Sequence, residues 1–103
     1  MIVAITSSGN TENSLLDQRF GRCAYFALYN TETKELVFEK NENQNAEEGA
    51  GPASVAFVAN KNVKKIISGE FGFKIKGMLN DLEIQMVMLK EQKTVKDILA
   101  LLG

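Results

Sequence analysis

The run Val63-Lys64-Lys65-Ile66-Ile67, then Ser68-Gly69-Glu70-Phe71-Gly72, then Phe73-Lys74-Ile75-Lys76-Gly77-Met78-Leu79-Asn80-Asp81-Leu82, decides the fold. A short apolar, β-branched run reads as a buried strand. The glycine-bearing turn ends it. Ile75, Met78, Leu79 and Leu82 then recur at helical spacing, so 73–82 reads as an amphipathic helix. Residues 83–89 return to a strand through Ile84, Met86, Val87 and Met88. Thr94, with Asp97 three residues on, makes a capping-box pair ahead of a last helix. Its apolar face is Val95, Ile98, Leu99, Leu101 and Leu102. Strand and helix alternating in this way require parallel pairing through crossover helices.

The first half has a different pattern. Residues 2–5 form a continuous apolar run, read as a strand, and the turn chemistry of Thr6-Ser7-Ser8-Gly9-Asn10 ends it. Residues 11–18 are polar apart from Leu15 and Leu16. Residues 23–30 and 35–40 read as a β-hairpin around Asn30-Thr31-Glu32-Thr33-Lys34. Residues 41–48 are polar and acidic, a solvated loop. A helix follows, with Pro52 at its first position, 53–60 apolar at helical spacing and Asn60-Lys61-Asn62 at its end. Phe20, Tyr25, Phe26, Phe57, Phe71 and Phe73 read as core or rim packing, and Met78, Met86 and Met88 as core filler. Lys61, Lys64 and Lys65 read as a solvated edge. The order is therefore strand, two-stranded hairpin, helix, strand, helix, strand, helix. That is an α/β chain with one mixed five-stranded sheet and helices packed on its faces.

The totals exclude several classes of function. A chain of 103 residues reads as a single domain, 1–103. At 45% hydrophobic and 24% charged residues it has an ordinary globular composition. Net charge of −1 favours neither nucleic acid nor membrane as partner. No apolar run approaches the roughly 20 residues of a membrane helix. The apolar start is too short for a signal peptide and lacks a basic flank. One cysteine makes no intrachain disulfide, which fits a reducing, cytoplasmic location. Without histidine there is no Ser-His-Asp or Cys-His machinery, and one cysteine cannot complete a four-ligand zinc or iron–sulfur site within one chain. The acidic cluster of a two-metal nuclease is missing from the expected strands. A non-enzymatic binding role is the expectation.

What chemistry remains is concentrated in Arg19-Phe20-Gly21-Arg22-Cys23-Ala24-Tyr25-Phe26, which holds both arginines and the cysteine. Gly49-Ala50-Gly51-Pro52 reads as its partner. Arg19 and Arg22 suit an anionic ligand, or else surface ion pairs with Asp17, Glu47 or Glu48. Gly49, Ala50 and Gly51 lead into a helix N-terminus, either an anion cradle or a plain turn. Cys23 is either a thiolate favoured by Arg22 or a small buried residue opening a strand. The 68–72 loop lies where open α/β sheets bind ligands, but Glu70 opposes an anion there unless Lys74 and Lys76 turn inward.

These segments resemble a known family. Arg19-Phe20-Gly21-Arg22-x-x-Tyr25-Phe26 resembles the HFGRAPYF signature of the dinitrogenase iron–molybdenum cofactor biosynthesis family. Glu48-Gly49-Ala50-Gly51-Pro52 is similar to its GGAGP segment, and Ser68-Gly69-Glu70-Phe71-Gly72-Phe73-Lys74 to its tGxxGpkA loop. The resemblance spans nearly the whole chain in the family's order. It implies a ribonuclease H-like, three-layer α/β/α fold with a five-stranded mixed sheet. It also implies a carrier of iron–molybdenum cofactor, an iron–sulfur cluster or a precursor, exchanged with a metallocluster donor or acceptor protein in a nitrogen-fixation setting. The implied site is Arg19, Phe20, Gly21, Arg22, Cys23, Gly49, Ala50 and Gly51. The chain departs from the signature where it matters: the family's histidine is Arg19, its alanine is Cys23 and its proline is Ala24. Cys23 is then the candidate metal ligand in place of the histidine, since thiolate is a soft ligand for iron. The alternative is a ligand-binding or protein-interaction module that has lost metal binding.

Overall fold

The computed structural model of the chain describes residues 1–102. Its elements are β1 (Ile2–Ser7), β2 (Tyr25–Asn30), β3 (Leu36–Lys40), α1 (Ala50–Asn60), β4 (Val63–Ser68), α2 (Phe73–Asp81), β5 (Gln85–Met88) and α3 (Val95–Leu102). One five-stranded sheet runs in the order β3-β2-β1-β4-β5. β1 pairs antiparallel with β2, and β2 antiparallel with β3. β1 pairs parallel with β4, and β4 parallel with β5. The mixed α/β sheet and the order of elements are those expected.

Side-chain alternation along the strands divides the core into two layers. Ala4, Phe26 and Ile66 pack with Val55 and Val58 of α1 and with Ile75 and Leu79 of α2. Val3, Ile5, Ala27 and Ile67 point the other way and pack with Val95 and Ile98 of α3. β1, between the two layers, is buried from Val3 to Ser7. Each fully buried Leu or Ile in these layers contributes roughly 1.5–3 kcal/mol.

Several boundaries differ from the sequence expectation. β1 runs two residues past the apolar run, because Thr6 and Ser7 pair with Phe26 and Tyr25 and are buried despite their polarity. α1 begins two residues before the expected start. Gly49 at φ 78 turns the chain, and the Ala53 N–H donates to the Gly49 carbonyl at 3.0 Å. Pro52 therefore sits third in the helix, where its missing N–H costs nothing because first-turn amides lack helical partners anyway. β2 starts at Tyr25 rather than Cys23, and β5 is confined to Gln85–Met88. The 8–18 segment is not a free loop. Ser7 bridges Leu16, Leu15 bridges Thr94, and Leu16 is buried. Phe73, expected in the core or at its rim, is 94% exposed, and Met88 is half exposed. Lys61, at the expected solvated edge, pairs with Glu39 at 3.1 Å.

Direction along the sheet brings the singled-out stretches to one edge. β1, β3, β4 and β5 all run the same way, so their C-terminal ends share one edge. The 8–24 segment, the start of α1 and the start of α2 follow from those ends or lead back to them. In open α/β sheets this edge is where ligands bind.

Candidate functional site

All three singled-out stretches meet at that edge. The Phe20 N–H donates to the Glu70 carbonyl at 3.3 Å, Arg19 bridges Glu70, and the Phe20 and Phe71 rings lie 5.6 Å apart. The Gly69 N–H donates to the Asp17 carbonyl at 3.4 Å. Gly69 must be a glycine, since an added Cβ would lie 2.5 Å from the Cα of Gln18. Gly21, at φ 98, lies against the start of α1, where its Cβ would stand 3.2 Å from the Cα of Gly51. The sequence pairing of 19–26 with 49–52 is therefore a direct backbone contact.

The glycines have separate causes. Gly21 and Gly51 are small because the chain closes on itself. A Cβ on Gly51 would meet the Cδ1 of Ile75 at 2.7 Å. Gly49 is different: it is exposed, it adopts φ 78, and a Cβ there would meet nothing within 4 Å. Only Gly49 among these three leaves open room beside the helix start. α1 and α2 both begin at this edge with no acidic residue in the first turn and no side-chain cap. Their first amides, including those of Ala50 and Gly51, retain unspent donors and the positive end of the helix dipole.

The charged groups are distributed unevenly. Arg19 is exposed, with its Nε 3.9 Å from Asp17 Oδ1 and one guanidinium nitrogen 3.5 Å from the Arg22 carbonyl. Arg22 is half-buried. Its guanidinium donates to the Gln44 carbonyl at 3.2 Å and to the Ala46 carbonyl, not to an acidic side chain. Glu70 is exposed and lies 3.9 Å from Lys90. Lys74 and Lys76 are exposed rather than turned inward. Glu47 and Glu48, also exposed, immediately precede Gly49. Phe20 and Ala50 are buried beneath these groups.

Cys23 is 0% exposed, and its Sγ lies 3.9 Å from Asn41 Nδ2. Burial, reinforced by the Asp17 carboxylate, pushes the thiol up to about 12. At neutral pH it is therefore a protonated thiol. Because the Arg22 guanidinium is directed at loop carbonyls, the expectation that it draws off the Cys23 proton is corrected. In this conformation a metal outside the turn has no line of approach to the sulfur. Among the described residues no three His, Cys, Asp or Glu side chains come together as a metal-ligating group.

Asn41 is the residue that sequence reasoning missed. The polar 41–48 run reads as a solvated loop, yet Asn41 is 3% exposed and its amide joins Gly21 and Cys23. Its signal was the Asn41-Glu42-Asn43 spacing, which is Asx-turn chemistry. A buried hydroxyl pair was missed as well. Thr6 Oγ1 donates to the Asp17 carbonyl at 2.7 Å and lies 3.0 Å from Ser68 Oγ, tying β1, β4 and the 17–20 segment together. A cavity of about 210 Å³ lies at the other end of the sheet, beside Ile2, Leu28, Val37 and Lys61, away from these stretches.

Relatives are found at the level of family and of structure. No curated protein matches the sequence. The apo form of the orange protein from Desulfovibrio gigas is 26% identical, with 96% of this chain and 83% of that one covered, at a TM-score of 0.89. A NifB-like protein from Thermotoga, solved by NMR, is 28% identical, with 98% and 85% covered, at a TM-score of 0.84. A family model described as dinitrogenase iron-molybdenum cofactor matches residues 1–103. With the 19–26, 49–52 and 68–74 stretches gathered at one edge of the expected fold, the chain belongs to the dinitrogenase iron-molybdenum cofactor family.

Proposed function

We propose that this chain is a small non-enzymatic carrier whose cargo is an anionic metallocluster of the iron–molybdenum or iron–sulfur type, or a precursor. Arg19 and the amide donors of Ala50 and Gly51 would hold it in the space beside Gly49. The carrying observation is the backbone contact of Gly21 with Gly51, which puts the arginine-bearing turn directly against an uncapped helix start. The donor set fits a cargo gripped by its outer, negatively charged atoms. It offers no exposed thiolate for a metal–protein link, since Cys23 is buried. In this reading Phe20, Gly21, Arg22 and Cys23 build the wall, and a donor or acceptor protein would exchange cargo at the same edge.

The alternative is a module of the same fold that binds another ligand or a protein and has left metal chemistry behind. One observation favours it: Glu47 and Glu48 beside Gly49, and Glu70 beside Arg19, lower the positive potential that an anion needs. Anaerobic incubation with ferrous iron, sulfide and molybdate, followed by desalting, absorbance and metal analysis, separates the two. The carrier reading expects retained metal that falls in Arg19→Ala and persists in Cys23→Ala. A colourless, metal-free protein, also after exposure to cofactor extract, would overturn it.

A further inference from the structure

We infer that Asn41 is a positioning residue for the candidate site, fixing the 19–23 turn against the start of α1. Its side chain spends both amide donors on this task. Nδ2 donates to the carbonyls of Gly21 and Cys23, each at 2.9 Å. Oδ1 accepts the Asn43 N–H at 3.0 Å, and the Asn41 backbone N–H donates to the Ala24 carbonyl at 2.9 Å. The residue therefore ends β3, starts the 42–49 segment and anchors 21–24 at once.

The residue type follows from this geometry. Two buried carbonyls need two donors from one short side chain, and a carboxamide supplies them while its oxygen still accepts. Aspartate would set acceptors against acceptors, and alanine would leave two buried carbonyls unpaired. The tie is also reciprocal. Asn41 gives its donors to carbonyls of the 19–24 turn, while Arg22 gives its own to the carbonyls of Gln44 and Ala46. Each segment holds the other's backbone. Gly21 lies so close to Gly51 that rotation of its peptide would be felt at the helix start. Asn41 thus acts on the site through Gly21 without touching any cargo.

The effect on the turn stands on geometry alone, whereas its effect on cargo rests on the carrier reading above. The test compares the natural chain with Asn41→Ala, Asn41→Asp and Leu79→Ala. The last opens a cavity in the same core layer as Cys23 without touching the Asn41 hydrogen bonds, and is included as a control for general destabilisation. The first readout is the rate at which a thiol reagent modifies buried Cys23 under native conditions, each rate taken relative to Leu79→Ala at the same pH. The second is metal retained after incubation with ferrous iron, sulfide and molybdate. The Asn41 variants are expected to label about tenfold faster or more than Leu79→Ala at an equal or smaller loss of melting temperature, as suits two lost buried hydrogen bonds. They are expected to retain less metal than Leu79→Ala. Acid pH should slow labelling of Asn41→Asp, because a protonated carboxyl regains one donor. If Asn41→Ala does not fold, Asn41→Ser, which keeps one donor, replaces it. A labelling rate that simply follows melting temperature, or fast labelling with undiminished metal retention, would overturn the assignment. A natural chain that retains no metal defeats the carrier reading instead, and the labelling arm still decides the role of Asn41 in the turn.

Discussion

Gly21 and Gly51 meet backbone to backbone, with only 3.2 Å between the Cα of Gly51 and the point where a Cβ on Gly21 would stand. Gly21→Ala is therefore expected to combine a strained positive φ with a contact that must yield. The cost is about 1–3 kcal/mol, measured as a shift in the urea midpoint. Gly51→Ala meets only the tip of Ile75, so pairing it with Ile75→Val should recover part of its loss. Gly77, inside α2 with nothing within 4 Å of an added Cβ, gives the opposite sign: Gly77→Ala should stabilise by up to ~1 kcal/mol.

The buried thiol has a signature in base. Its folded value of about 12 lies above the ordinary 9.0. The protonated form therefore favours the folded state, and that contribution is complete below the ordinary value. It declines as pH rises from there through the folded value. Denaturant titrations of the natural chain and Cys23→Ala should show the difference between them shrinking by about 1.4 kcal/mol per pH unit across that window. A constant difference would show that the thiol is not protonated by burial.

Thr94 and Asp97 test the acid side. The Thr94 N–H donates to Asp97 Oδ2 at 3.2 Å, and the Asp97 N–H donates to Thr94 Oγ1 at 3.1 Å. The bonds from the Thr94 backbone and hydroxyl hold the Asp97 carboxyl below its ordinary range. Its contribution should be present above the ordinary carboxylate value and lost as pH falls through the folded one. Asp97→Asn is expected to lower the melting temperature at neutral pH and to converge with the natural chain in acid.

Phe73 and Leu79 sit on the same helix with opposite exposures, 94% and 0%. Phe73→Ser should leave stability within about 0.5 kcal/mol, since nothing is uncovered. Leu79→Ala should cost about 2–5 kcal/mol from the cavity it leaves between α2 and the sheet. Thermal melts of the two variants suffice to check both.

The architecture was legible because periodicity reports which way a side chain faces, and the faces here are clean. Ile66 and Ile67 fall to opposite layers as strand alternation requires, and Leu79 lies under α2 as its spacing requires. The 19–26 and 49–52 runs read as partners, and they meet through Gly21 and Gly51. What the sequence hid was polar burial. Thr6, Ser7 and Ser68 look like turn residues but are enclosed by neighbouring strands. Asn41 looks like loop and is a buried hub, because its partners are carbonyls, which carry no sequence signature. Arg22 faced the same ambiguity. Its charge invites an acidic partner, but the geometry supplies backbone oxygens.

β1 lies at the centre of the sheet, yet its parallel partner β4 occurs much later in the chain, with Ile5 facing Ile67 across that gap. A nascent chain therefore presents one open flank of a strongly apolar strand until the second half has emerged. Pairings so distant in sequence form slowly, and unpaired strands associate with one another while they wait. Yield during synthesis should consequently depend more on how fast β4 arrives than on the stability of the finished protein. A version cut before Val63 is expected to enter inclusion bodies.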